Sequence, residues 1–126
     1  MVKNDELDNM LETDPIKRYK YFLNCVIDST GVWLLRVDGV EFSHEVLGGK
    51  AVPVWPKREY AELCGNAWGQ GAPSEVSLDE LLEVRLKALE GQGVLIEILP
   101  SPTSSGFLVD ISRFMRDVRM ELDLIT

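Results

Sequence analysis

His44-Glu45 is the one place in the chain where an imidazole adjoins a carboxylate, and an imidazole beside a substrate pocket can serve as a general base. Successive residues on a strand point to opposite faces, so Glu45 cannot orient the His44 ring while the strand continues. The pair therefore carries no catalytic assignment. A metal centre needs three or four converging His, Cys or acidic ligands, and this chain offers one His and two separated cysteines, Cys25 and Cys64. No metal and no cofactor is expected. The acidic run from Asp5 to Asp14 lacks the glycine-centred loop of a calcium-binding EF-hand. Gly65, Gly69 and Gly71 come without the lysine of a phosphate-binding P-loop. Ser101, Ser104 and Ser105 fall in a Pro-Ser-rich turn with no nucleophile elbow around them.

The aromatic residues offer a second kind of chemistry. Trp33, Trp55 and Trp68 fall on a strand, at a strand-to-helix junction and at a helix end, positions that rim grooves as well as cores. A groove formed by Trp55, Tyr60 and Trp68 beside Lys57 and Arg58, with His44 as a polar group, would suit an acidic or aromatic peptide or a small ligand. The competing explanation, half-buried core, is the commoner one for three tryptophans in a small domain. A third feature is charge. Thirteen basic against 21 acidic residues give −8, which disfavours nucleic acid and anionic lipid as partners and suits a basic protein. Asp79, Glu80 and Glu83 on one helix are the candidate acidic partner surface.

Elements must position these groups. At 126 residues the chain is long enough for its own core. Residues 1–14 carry five acids against one lysine and read as a loose acidic arm preceding a single domain over 15–126. Asp14-Pro15 is an N-cap followed by proline at the first helical position, and Ile16, Tyr19, Phe22, Leu23, Val26 and Ile27 set the apolar face of a helix to about Asp28. The strand formers of 32–37, the turn Asp38-Gly39 and the alternation of 40–44 predict a hairpin. A strand over 51–55, a helix from Pro56 to Trp68, and a capping box at Ser77-Leu-Asp-Glu80 opening a leucine-striped helix follow. The glycine-rich stretch between those helices reads as loop. A second hairpin over 94–109 and a last helix capped by Asp110 complete the order α-βββ-α-α-ββ-α. That order predicts an α+β domain with a largely antiparallel five-stranded sheet and packed helices. No apolar run approaches a membrane span, the N-terminus is the reverse of a signal peptide, and the two lone cysteines suit a reducing compartment. A cytoplasmic protein with both thiols reduced and buried is expected.

Arg18-Tyr-Lys-Tyr-Phe-Leu23, Val32-Trp-Leu-Leu35 and above all Val52-Pro-Val-Trp-Pro56, with Tyr60-Ala61 and Trp68 downstream, resemble a family of small bacterial proteins catalogued as a domain of unknown function, DUF2750. The resemblance spans residues 15 to 120 and implies a bacterial cytosolic protein with no catalytic residues to carry over. A weaker resemblance, to the enhanced-serine-sensitivity protein family, implies protein interaction; the long first helix and the tryptophan in the proline-centred strand depart from it. Fold-level likeness does not carry function. Taken together, the residues favour a non-enzymatic protein-interaction module, immunity-like in its acidic surface, over an enzyme. The alternative is a small-ligand-binding protein or enzyme with its pocket near Trp55–Trp68 and His44. A homodimer through an edge strand or the arginine face of the last helix is a third reading.

Overall fold

Asp14 opens the first helix as its sequence dictates: its carboxylate accepts a 2.7 Å hydrogen bond from the Ile16 N–H, with Pro15 in the first turn. The structure, a computed structural model, describes residues 14–46 and 48–125. The acidic arm, apart from Asp14, lies outside the described residues. Helix α1 (Pro15–Ser29) leads into β1 (Gly31–Val37), and the turn at Asp38 and Gly39, both at positive φ, returns the chain as β2 (Val40–Glu41). Strand β3 (His44–Val46) and β4 (Gly49–Val54) precede α2 (Arg58–Trp68) and β5 (Ala72–Ser77). Ser77 then caps α3, in which Leu78–Glu80, the π-helical Leu81–Arg85 and Leu86–Leu89 run on without a break. Strands β6 (Val94–Ile98) and β7 (Phe107–Asp110) and helix α4 (Ile111–Ile125) follow, the last capped by Asp110 accepting from the Arg113 N–H at 2.8 Å.

The α+β class stands, with four helices and one small domain among the described residues, and the strands are seven in two sheets rather than five in one. One sheet has the order β2-β1-β5 and the other β3-β4-β6-β7, antiparallel except for the parallel β4–β6 pair. A parallel pair requires a crossover, and α2, β5 and α3 supply it. The two sheets meet at a Trp33–Trp55 bridge, each backbone N–H donating to the other's carbonyl at 2.9 and 2.8 Å.

Two departures from the sequence pattern matter. The stretch 72–77 is a strand, although Pro73 and its glycine neighbours read as loop; it pairs with β1 along an edge, where a missing proline N–H costs no interior hydrogen bond. The expected strand over 40–44 breaks at Phe42-Ser43, and His44 starts a strand of the other sheet. The break moves His44 from the first hairpin to the edge of the second sheet, opposite Ala51 of β4.

On one face of the second sheet, Val52, Val54, Ile96, Ile98 and Val109 join the core with α1 and α4, where Phe22 and Phe114 lie 6.1 Å apart between ring centres. Burying each such side chain contributes about 1.5–3 kcal/mol, ample for the stability of this layer. The other face of the same strands carries Ala51, Pro53, Leu95 and the single acid of β6, Glu97.

Candidate functional site

Strand register decides which side chains meet. His44 lies opposite Ala51 on β4, and Glu97 of β6 lies opposite Pro53. Ala51 and Pro53 are two residues apart, so both project to one face, and their small bulk leaves space above β4 for longer side chains from either side. Across that gap His44 Nε2 reaches Glu97 Oε1 at 2.5 Å. Glu97 is 1% exposed, whereas His44 is 31% exposed at its side chain. The second carboxylate oxygen, Oε2, accepts the Gly106 N–H at 2.9 Å. A buried carboxylate is thus held by two donors, which is what offsets the cost of taking it out of water.

The fixed carboxylate determines the imidazole. In the neutral ring, an Nε2–H donating to Glu97 leaves Nδ1 as a bare acceptor. Among the described residues, no hydrogen bond engages that Nδ1. Such a ring can accept a hydrogen bond or a proton from whatever lies beside it. Phe42 and Trp68 flank it, their ring centres 5.5 and 5.4 Å from that of His44 and 6.0 Å from each other.

These groups line a cavity of about 440 Å³. Gln70 lies on one side and the loop 101–105 closes the other, supplying the hydroxyl-bearing residues Ser101, Thr103, Ser104 and Ser105. The loop is strapped down by the tryptophans. Trp55 Nε1 donates to the Pro100 carbonyl at 3.0 Å, the Cys64 thiol donates to the same oxygen at 3.4 Å, and Trp68 Nε1 donates to the Pro102 carbonyl at 3.1 Å. Ser101, itself buried, accepts from the Thr103 and Ser104 N–H groups at 3.3 and 3.0 Å. At the loop's start Leu99 is buried at φ 54, a left-handed conformation that a side chain of its size adopts only under constraint. At its end Gly106 approaches the Ile98 carbonyl so closely that a Cβ would sit 2.3 Å from that oxygen. Hydrogen bonds from the tryptophans and Ser101 thus hold the backbone of this wall in place within the fold.

Of the six groove residues read from sequence, His44 and Trp68 line this cavity and the other four do not. Trp55 is wholly buried behind Trp68, 6.0 Å away between ring centres. Tyr60 is also buried, its hydroxyl 3.5 Å from that of Tyr21. Arg58 lies over the Trp33 ring at 5.7 Å, and Lys57 precedes α2 in solvent. Glu45 is exposed and takes no part, as strand alternation requires. Two members of the acidic surface face cations of their own chain: Glu80 pairs with Arg85 at 2.9 Å, and Glu83 with Lys87 at 3.1 Å and Arg119 at 3.0 Å. Those two cations hold the Glu83 carboxyl below the usual carboxylate range, Lys87 contributing most. Asp79 is exposed. Arg85 also reaches Glu41, and both carboxylates raise its pKa.

Sequence reasoning missed Glu97, Phe42, Gln70 and the serine loop. One signal pointed to Glu97: a lone acid in the otherwise apolar 94–99 is a buried charge that must find a partner. Both cysteines are free, Cys64 buried and Cys25 only half-buried. Burial pushes the Cys64 thiol up to about 12, against a smaller opposing effect of Trp55. Among the described residues, no group of three or more His, Cys, Asp or Glu could hold a metal ion, and no helix is long and apolar enough to cross a membrane.

No curated protein matches the chain. A family model described as Protein of unknown function (DUF2750) matches residues 19–118, from the first turns of α1 to the middle of α4, and so takes in every strand and the whole cavity. The Val52–Pro56 step that suggested this family positions Trp55 against the loop, and with so much of its length matched the chain belongs to the DUF2750 family.

Proposed function

We propose that this protein is a small-molecule-binding domain whose site is the cavity between His44, Trp68 and the loop 101–105. One observation carries the reading: His44, at the cavity wall, is oriented by a carboxylate from a different strand that is buried and held by a second donor. Fold stability alone does not call for such a pair. A buried, hydrogen-bonded polar pair is often no more stabilising than apolar residues of the same volume, so its presence at a cavity wall is better explained by what it does there. The volume falls within the range of sites that take small ligands. The carboxylate-oriented imidazole also equips the site for proton transfer.

Binding is tested by titrating a chemically diverse fragment set into the isotopically labelled chain and following the Trp68 indole N–H. The reading requires fragments that shift this signal, and their loss in His44→Ala. Fragments that settle elsewhere while the Trp68 signal stays still would overturn it.

A second reading, docking on another protein, draws support from a different surface. Ile16 and Met120 are exposed apolar residues that line one groove between α1 and α4. The internal pairing of Glu80 and Glu83 leaves less free charge for a basic partner than the sequence suggested. Size-exclusion chromatography at low and high salt tests self-association: coelution as a monomer under both conditions removes the dimer.

A further inference from the structure

We infer that the cavity selects a small organic ammonium ion, a deepening that rests on the ligand-binding reading above. Four features, the second a consequence of the first, give the site the same electrostatic sign. Glu97 places a buried carboxylate behind the wall. Its hydrogen bond takes up Nε2, so that whenever the His44 ring is neutral Nδ1 is an acceptor and a ligand meets it with a donor. Phe42 and Trp68 add two aromatic rings whose faces are electron-rich and attract a cation within about 6 Å. No lysine or arginine stands among the lining residues, and the whole chain carries −8.

An anion meets the opposite conditions. A phosphate or carboxylate in this cavity would face Glu97 and the ring faces with no guanidinium or ammonium to receive it. The hydroxyls of Thr103, Ser104 and Ser105 and the Gln70 amide accept as readily as they donate, so they serve an ammonium's N–H groups. The rings are tilted 35–55° to one another with centres within 6.0 Å, too close to sandwich a planar ring between them. They form instead one wall against which a compact cation rests.

The test uses three probes of one shape on the full chain: benzylammonium, benzyl alcohol and benzoate, each followed through the Trp68 indole N–H. Benzylammonium should bind about tenfold more tightly than benzyl alcohol, and benzoate should leave the signal unmoved. Glu97→Gln, which keeps the shape and removes the charge, should shrink that preference to about threefold or less. The three-probe ranking is read on the unaltered chain and so stands whether or not Glu97→Gln folds. If benzyl alcohol or benzoate binds as well as benzylammonium, the charge preference is refuted while the ligand-binding reading survives. If none of the three moves the Trp68 signal, the ammonium preference is refuted, and the ligand-binding reading is decided by the wider fragment set.

Discussion

The two faces of β4 and β6 solve different problems with alternating residues of the same strands. Val52, Val54, Ile96 and Ile98 turn to α1 and α4 and are held by apolar burial, which has no preferred direction. Ala51, Pro53 and Glu97 turn the other way, where a buried carboxylate is held by two directed hydrogen bonds across a space that the small residues keep open. The first face makes the fold stable and would tolerate any well-packed substitute of similar volume. The second puts a charge where stability gains little from it. A strand of five residues thus carries a core-packing face and the buried carboxylate of the proposed site by its alternation alone.

Substitutions on each face should separate the same way. On the apolar face Phe114→Ala should cost about 3 to 5 kcal/mol in urea unfolding, because it empties a wholly buried ring position, while benzylammonium binding to the folded fraction stays unchanged. On the polar face His44→Leu should cost about 2 kcal/mol by leaving Glu97 with one donor, and His44→Leu with Glu97→Leu together should recover most of that loss. A double variant as unstable as the sum of its parts would break the comparison, since it would show the pair to be a stability device.

Titration effects are smaller and run at both ends of the pH range. The Cys64 thiol, pushed from 9.0 up to about 12 by burial, is protonated in the fold where the unfolded chain would ionise. A raised folded value contributes stability below the unfolded value and loses it as pH rises toward the folded one, so Cys64→Ala should lessen the alkaline loss between those limits. Native Cys64 should resist thiol reagents until the chain unfolds. Glu83 works in the opposite sense: its depressed value contributes stability above the usual carboxylate range, lost as pH falls through the lowered one. Because Glu83 is at the surface, Glu83→Gln should change acid unfolding least of all, and less still in high salt.

Local rules made much of the fold legible. The caps at Asp14, Ser77 and Asp110, the Asp38-Gly39 turn and the β6–β7 hairpin are each set by residues within a few positions of one another. The missed strand β5 depends on a partner far away in sequence, β1, which overrides the poor strand propensity of a Pro-containing edge. The site was half legible for the same reason. His44 and Trp68 stood out by residue type, but Glu97 lies 53 positions from His44 and enters the site only through the register of β3, β4 and β6. The serine loop looked like turn chemistry, and Ser101 does serve its turn; what brings the loop to the cavity is the pair of tryptophan hydrogen bonds to Pro100 and Pro102.

The central claim is that Glu97 fixes the His44 ring, and the nitrogen tautomer reports on it directly. A long-range nitrogen–proton spectrum of the labelled chain, recorded where the ring's own shifts show it to be neutral, should show the proton on Nε2 and a bare Nδ1, with the pattern collapsing to the averaged shifts of a free ring in Glu97→Gln or Glu97→Ala. A proton on Nδ1, or averaged shifts already present in the unaltered protein, would contradict it.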